Sequence, residues 1–268
     1  MHASAQPAPV STKKLWAGII ISALPALFLL FDGVMKLVKP PIVVETTVQL
    51  GYPESVILGL GIVVLACTVV YLIPRTAVLG AVLLTGYLGG AVASHMRLGD
   101  PLLTHILSPV YFGVMIWGGL SLRDRRLPEY LQSGAQTASV SKKALWAGRI
   151  VSALPAMMLI FSGVLKLAKP AGSGVVEEFG RLGYPENVIL GIGILELACT
   201  VIYLIPRTSV LGAILLTGYL GGAVATHVRV GDPLFKVIMP PVLGALIWGG
   251  LYLRDARLRD LLPLRKEK

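Results

Sequence analysis

The sequence predicts an all-α integral membrane protein with eight transmembrane helices, arranged as two fused four-helix bundles in a parallel internal repeat. Three observations support this fold class. Of the 268 residues, 55% are hydrophobic and 14% are charged, whereas a soluble domain carries about 25% charged residues. The chain contains eight apolar runs, each close to the ~20 residues that span a bilayer. Its second half also repeats its first.

Seven of the eight runs contain no charged residue, and the eighth is interrupted only by Glu196. A helix at the surface of a soluble protein has one apolar stripe and one polar face, but these runs are apolar on all sides. We therefore predict one transmembrane helix in each run. In chain order the runs are 15–31, 55–74, 76–94, 106–122, 150–165, 187–206, 208–226 and 237–253.

The segments around the runs predict how the spans are connected. The first run follows two lysines and is similar to a secretory signal peptide, but the same segment recurs internally at 142–161. A signal peptide lies at the N-terminus and not in the middle of a chain, so we predict a retained transmembrane helix in both places. The short turn LIPRT joins runs two and three at 72–76, and its copy at 204–208 joins runs six and seven, which predicts two antiparallel hairpins.

The internal repeat covers most of the chain. Residues 51–101 align without a gap with residues 183–233, and 41 of the 51 positions are identical. Each copy is a unit of about 120 residues with four spans. Because four is an even number, both copies point the same way across the membrane. We predict a disordered tail at 1–12, the first unit at 13–127, a linker at 128–141, the second unit at 142–262 and a basic tail at 263–268.

The basic residues predict an orientation and disfavour nucleic acid as a partner. If both termini are cytoplasmic, 16 Lys and Arg residues lie inside and 8 outside, which is the bias expected of a membrane protein. These residues, which produce the net charge of +10, lie in the connections and are not interleaved with aromatic residues. We expect a bacterial-type cytoplasmic membrane, with the lipid bilayer as a partner. Cys67 and Cys199 form no CxxC motif, so we interpret them as small apolar residues.

The motifs GYPES, LACTVVYLIPRT, LLTGYLGGAVASHMRLGDPL and VYFGVMIWGGLSLRD resemble those of the DoxX-like family of small membrane proteins. The resemblance covers both repeats, and it implies a four-helix transmembrane bundle that is duplicated in this chain. Founding relatives are membrane subunits associated with thiosulfate:quinone oxidoreductase and with quinol oxidase. The resemblance therefore implies an accessory role in quinone-linked redox chemistry.

The two repeats depart from the family pattern at different positions. The family usually carries an acidic residue in its second span, which Glu196 retains and Val64 replaces. It also tends to carry Asp in its first span, which Asp32 retains and Ser162 replaces. Lys36 lies four residues after Asp32, in the favourable order for a helical ion pair. We interpret that pair as a local one that lets the lysine reach the membrane surface.

Glu196 is the sharpest candidate for a ligand or proton site. It lies near the middle of its run, where a charge costs about 2.5–3.5 kcal/mol, so its side chain should face the bundle interior. Thr200 and Tyr203 share its helix face, and Tyr219 on the antiparallel neighbour reaches a similar depth. Two interpretations remain open: a protonated Glu196 that hydrogen-bonds Thr or Tyr for helix packing, or a proton relay or ligand site.

The stretch YLGGAVASHMRLGDP and its copy YLGGAVATHVRVGDP each carry a charged cluster where a span ends. At about 100° per residue, Arg97 continues the face of Gly86 and Gly90, whereas His95 points about 200° away from Arg97. Small residues four apart permit two helices to pack closely. We therefore predict a packing surface on these glycines and on their copies, Gly218 and Gly222.

The cluster has a structural and a functional interpretation. In the first, it anchors the span at the membrane surface, Gly99 ends the helix and Asp100 caps the next one. In the second, it binds a quinone headgroup, which needs hydrogen-bond donors beside an apolar slot. The candidate headgroup site comprises His95, Arg97, Asp100, His105 and Tyr87 in the first repeat, with His227, Arg229 and Asp232 in the second.

No intrinsic cofactor and no metal site are predicted. A haem held by His95 and His227 is disfavoured because the chain has no haem-attachment motif and only four histidines. The function that we predict is an accessory or anchor membrane subunit of a quinone-linked redox system, in contact with other membrane or redox subunits and with quinone as the candidate ligand. The alternatives are a structural subunit that braces a larger membrane complex and, third, a small-molecule or proton transporter.

Overall fold

The computed structural model describes residues 11–124, 127–128, 140–169, 172–256 and 258–262. All the regular secondary structure in these ranges is helical. The α-helices are α1 Thr12–Val38, α2 Pro41–Gln49, α3 Ile57–Leu72, α4 Ala77–Leu98, α5 Ser108–Arg123, α6 Lys142–Ala168, α7 Val175–Arg181, α8 Glu186–Leu204, α9 Ser209–Arg229, α10 Leu234–Arg254 and α11 Leu258–Leu261. A 3₁₀ turn, Glu54–Val56, precedes α3, and a π-helical turn, Leu102–Ile106, precedes α5.

Eight helical segments of the described residues are long and apolar enough to cross a membrane, which confirms the predicted fold class. Six of them are α1, α4, α6, α8, α9 and α10, and the other two are Glu54–Leu72 and Leu102–Arg123. Ser11 caps α1 and accepts a hydrogen bond from the backbone N–H of Lys14. Most of the predicted tails and linker, at 1–10, 129–139 and 263–268, lie outside the described residues, so the unit boundaries remain predictions.

Each repeat forms its own bundle. In the first, α1 packs against α3 and α5, and α4 packs against the same two helices; in the second, α6, α8, α9 and α10 repeat this arrangement. The two bundles meet along α4 and α9, the most extensive contact between any two helices. We call the end with the connecting segments at 39–53, 99–107, 172–185 and 230–233 the long-loop end. The end with the turns at 73–76 and 205–208 is the short-turn end.

The contact between α4 and α9 depends on glycines, because the two backbones touch. A Cβ on Gly89 would overlap the carbonyl group of Gly218, and a Cβ on Gly221 would overlap that of Gly86. A Cβ on Gly90 would lie 2.9 Å from the Cβ of Ala225. The glycines singled out from the sequence (Gly86, Gly90, Gly218 and Gly222) all face the partner helix, but Gly89 and Gly221 lie closest to it.

The structure corrects the capping role expected of Asp100 and Asp232. The π-helical turn after Asp100 and the helix α10 after Asp232 begin without any side-chain cap, at Pro101 and Pro233. Each aspartate instead accepts a hydrogen bond from a histidine in the last turn of the preceding helix, α4 or α9. Gly99, in the left-handed conformation at φ 70°, ends α4 at the predicted residue.

Candidate functional site

A partly buried carboxylate, a lysine and a tyrosine meet inside the first bundle. Lys36 forms an ion pair with Asp32 one turn earlier on α1. The hydroxyl of Tyr87 on α4 donates to the other carboxylate oxygen of Asp32 at 3.3 Å. This is the local pair of residues four apart that was interpreted from the sequence, and the Lys36 side chain is only 13% exposed.

The second bundle contains the same three kinds of group in a different arrangement. Glu196 on α8, whose side chain is 2% exposed, accepts a hydrogen bond of 2.9 Å from Nζ of Lys166 on α6. Ser162 donates to the same carboxylate oxygen at 3.4 Å, and Lys166 also bonds Ser162. The hydroxyl of Tyr219 lies close to the Glu196 carboxylate. Sequence reasoning missed Lys166 as the partner of Glu196.

Comparison of the bundles shows that the carboxylate has moved between helices. Lys36 and Lys166 occupy equivalent positions in the two repeats, as do Tyr87 and Tyr219. Ser162 replaces Asp32, and Val64 replaces Glu196. The acidic group therefore lies on the first helix of one bundle and on the second helix of the other, while the lysine and tyrosine stay in place. In each bundle, one carboxylate neutralises the interior lysine.

Two of the residues grouped with Glu196 from the sequence lie apart from its carboxylate. The Thr200 hydroxyl donates to the backbone carbonyl of Glu196 at 2.7 Å. Tyr203, two helical turns away, donates to the carbonyl of Ile247 and lies under the guanidinium of Arg254. Tyr203 therefore belongs to the packing at the short-turn end, because the period of the helix aligned it with Glu196 in direction but not in depth.

An apolar cavity of about 1260 Å³ opens beside the polar group of the first bundle. Its wall includes side chains from α1, α2, α3, α4 and α5, and it extends to α9 and α10 of the second bundle. Asp32, Lys36 and Tyr87 lie on this wall among apolar residues, and His95 lies on it nearer the long-loop end. Phe28 and Phe112, whose rings are 4.8 Å apart, form part of the apolar lining.

The residues of the predicted headgroup site occupy three separate places. Tyr87 lies inside the bundle with Asp32, as described above. His95 donates from Nδ1 to Asp100 at 2.7 Å, and its ring meets the ring of His105 edge-on at 5.6 Å. Arg97 points away from His95 towards the contact between the bundles, where it donates to the carbonyl of Leu50 at 3.0 Å.

In the second repeat the corresponding histidine belongs to a network of charges. His227 donates to Asp232 at 2.7 Å, and Arg181 on α7 bridges Asp232 and Glu178 at 2.9 and 2.7 Å. Lys236 on α10 donates to Glu178 at 3.1 Å. Hydrogen bonds from Arg181 lower the pKa of Glu178 from 4.5 to about 2 and the pKa of Asp232 from 3.8 to about 2. We call Glu178, Arg181, Asp232 and Lys236 the α7 clasp.

The described residues contain no group of three His, Cys, Asp or Glu side chains that could hold a metal ion. Cys67 and Cys199 are buried and form no disulfide. The candidate site of this chain is the pair of lysine–carboxylate–tyrosine groups inside the two bundles, with the cavity beside the first of them.

Eight spans in two like bundles, with a lysine–carboxylate–tyrosine group in each, define a tandem four-helix membrane protein. A family model described as the DoxX-like family matches residues 20–119 and 150–250, one match for each bundle. The chain belongs to the DoxX-like family. Searches of curated proteins and of solved structures found no match.

Proposed function

We propose that the chain is an accessory or anchor membrane subunit of a quinone-linked redox system and that a quinone binds in the cavity of the first bundle. The observation that carries this proposal is the position of Lys36 and Tyr87 on the wall of an apolar cavity of about 1260 Å³. Pockets for small molecules combine apolar walls with a few polar groups that fix orientation. The cavity is large enough for a quinone ring and the first part of its tail.

The chemistry of the cavity suits a quinone headgroup. A quinone carbonyl oxygen accepts hydrogen bonds, and the ammonium group of Lys36 has three N–H donors, of which Asp32 takes one. Asp32 holds Lys36 in place, and Tyr87 in turn holds Asp32 by donating its hydroxyl proton to the other carboxylate oxygen. The rings of Phe28 and Phe112 supply apolar surface for the quinone ring. In this proposal the chain binds the quinone, and a partner subunit carries out the electron transfer.

The proposed location is a bacterial-type cytoplasmic membrane with both termini in the cytoplasm. It is supported by the excess of Lys and Arg, 16 against 8, in the connections that this orientation places inside. The long-loop end is then extracytoplasmic. Reporter fusions at each terminus and single cysteines in the loop at 99–101 test this orientation by activity and by labelling from outside.

Quinone binding can be tested with two matched substitutions. Ala91 on α4 lies on the cavity wall, and Ala223 is its equivalent on α9. Ala91→Phe should fill the cavity and weaken binding of a short-chain quinone to the purified protein in nanodiscs at least about tenfold, because displaced ligand contacts are each worth about 1 kcal/mol. Ala223→Phe should leave the affinity within about twofold.

The outcome separates this function from the alternatives. Equal effects of Ala91→Phe and Ala223→Phe, or no saturable quinone binding by the wild type, would contradict the proposal. If native mass spectrometry of gently solubilised protein then finds stoichiometric protein partners without quinone, the chain is a structural subunit. If neither quinone nor a stoichiometric protein partner is found, the transporter alternative is favoured.

A further inference from the structure

Two arginines face each other where the bundles meet at the long-loop end. Arg97 lies in the last turn of α4, and Arg229 occupies the equivalent position on α9. The loop glycine Gly183 borders both side chains: a Cβ there would lie 3.7 Å from Nη1 of Arg97 and 3.8 Å from Nη1 of Arg229. Gly51, its counterpart, also borders both arginines. The two positive charges therefore lie side by side around the axis that relates the repeats.

No described carboxylate neutralises this pair. The salt bridges of the described residues include neither Arg97 nor Arg229 within 4.0 Å of an acidic group. The nearby phenols supply no counter-charge, because burial raises the pKa of Tyr52 and of Tyr184 and keeps them neutral. Two cations close together in a partly buried place repel each other unless an anion joins them.

The arginines are held in position with hydrogen-bonding capacity to spare. Arg97 donates one Nη2 hydrogen bond to the carbonyl of Leu50, and Arg229 makes the same bond to Leu182. These carbonyls end α2 and α7, so each helix end anchors one guanidinium. A guanidinium has five N–H donors. Nε of Arg97 is buried and has no hydrogen-bond partner.

We infer that Arg97 and Arg229 together bind one oxyanion, the phosphate group of a lipid headgroup or free inorganic phosphate, between the bundles at the long-loop end. Guanidinium groups bind phosphate through two parallel hydrogen bonds each, and two of them facing one another match the several oxygens of one phosphate. The site joins a residue from each repeat, so it exists only in the duplicated chain or in a dimer of single units. It is independent of the quinone cavity and of the proposed redox role.

The test uses the purified full chain and two arginine pairs. Native mass spectrometry measures retention of phosphatidylglycerol, with a phosphate-free monoglucosyl diacylglycerol as the control lipid. R97Q/R229Q should weaken phosphatidylglycerol binding at least about tenfold, since it removes both charged groups that donate hydrogen bonds to the phosphate. R75Q/R207Q removes the same charge at equivalent positions of the short-turn end and should change the affinity less than about twofold.

Competition identifies the source of the anion. If millimolar inorganic phosphate displaces the lipid, the site takes the free anion as well; if it does not, the site is specific for a lipid headgroup. Should R97Q/R229Q fail to fold, R97K/R229K keeps both charges without the planar fork, and it should still weaken binding severalfold. Wild-type protein that binds neither phosphatidylglycerol nor phosphate, or an equal loss in R75Q/R207Q, would overturn the inference.

Discussion

The interior lysines occupy equivalent positions in the two bundles but receive their counter-charge from different helices. Lys36 is paired within its own helix by Asp32, and Lys166 is paired across the bundle by Glu196. Breaking a buried pair costs more than the pair gains, because the remaining charge has no partner. The carboxylate on one helix can therefore be lost only if a carboxylate on another helix pairs with the same lysine.

This requirement predicts a rescue experiment in the second bundle. Glu196→Val reproduces the residue of the first bundle and should lower the free energy of unfolding by about 3 kcal/mol, because it leaves Lys166 unpaired. Adding Ser162→Asp recreates the Asp32–Lys36 arrangement and should restore most of the loss. Thermal unfolding of the wild type, the single variant and S162D/E196V in the same detergent measures both effects. If S162D/E196V is no more stable than the single variant, Asp at position 162 does not replace Glu196 as the partner of Lys166.

The sequence predicted Lys36 as the partner of Asp32, but it did not predict Lys166 as the partner of Glu196. Glu196 was recognised because a charge in mid-membrane must face the bundle. Lys166 was missed because lysine near the end of a span ordinarily extends to the surface, and because its partner lies 30 positions away on another helix. The reciprocal exchange of Asp32 with Ser162 and of Val64 with Glu196 was the one signal available, and it requires knowledge of which helices touch.

The helices α4 and α9 join the two bundles, so the contact between the bundles depends on how closely these helices pack. Gly86 and Gly90 were predicted to permit close packing, and they do face α9. The closest approach lies one turn from Gly86, at Gly89, because the register between two parallel helices decides which residue meets the partner backbone. A single helix does not reveal that register.

The glycine contact predicts a position-specific loss of stability. Gly89→Ala places a methyl group against the backbone of Gly218 and should destabilise the protein by about 1–3 kcal/mol, the usual cost of overpacking. Gly59→Ala on α3 is the matched control, because no atom lies within 4 Å of the added Cβ. Thermal unfolding of both variants gives the comparison, and a Gly89→Ala protein as stable as Gly59→Ala would show that the helices do not touch there.

The α7 clasp predicts that the stability of the second repeat depends on pH. The lowered pKa values of Glu178 and Asp232 mean that the stabilisation is fully present above about pH 4.5 and is lost as the pH falls towards 2. Arg181→Gln should therefore lower Tm at pH 6 and have little effect near pH 2. The control is Gln49→Ala, the equivalent position on α2, whose effect should not vary with pH. If Arg181→Gln lowers Tm equally at pH 6 and near pH 2, the ion pairs of the α7 clasp do not stabilise the protein.

Duplication has produced two bundles that have the same arrangement of helices but differ at their long-loop ends. The residues equivalent to Glu178, Arg181 and Lys236 are Thr46, Gln49 and Thr104. The α2 segment is therefore not tied down by these ion pairs, and its residues Val43, Thr46 and Thr47 lie on the cavity wall. The first bundle thus offers both a cavity and a less restrained segment above it.

The eight spans and the repeat were predictable because long apolar runs and repeated segments are visible directly in the amino-acid sequence. The cavity was not, because it depends on the volumes of side chains contributed by several helices. The division of the predicted headgroup residues into three places has the same origin. His95 and Arg97 are two residues apart but point to opposite neighbours.

The proposed role depends on quinone binding inside the first bundle. Photolabelling with a quinone that carries a photoreactive group on its ring, followed by peptide mass spectrometry, locates the bound quinone. We expect saturable labelling of peptides from α1, α4 and α5, competed by unlabelled quinone and lost in Ala91→Phe. Equal labelling of α6 and α8, which do not line the cavity, or labelling that excess quinone does not reduce, would contradict quinone binding there.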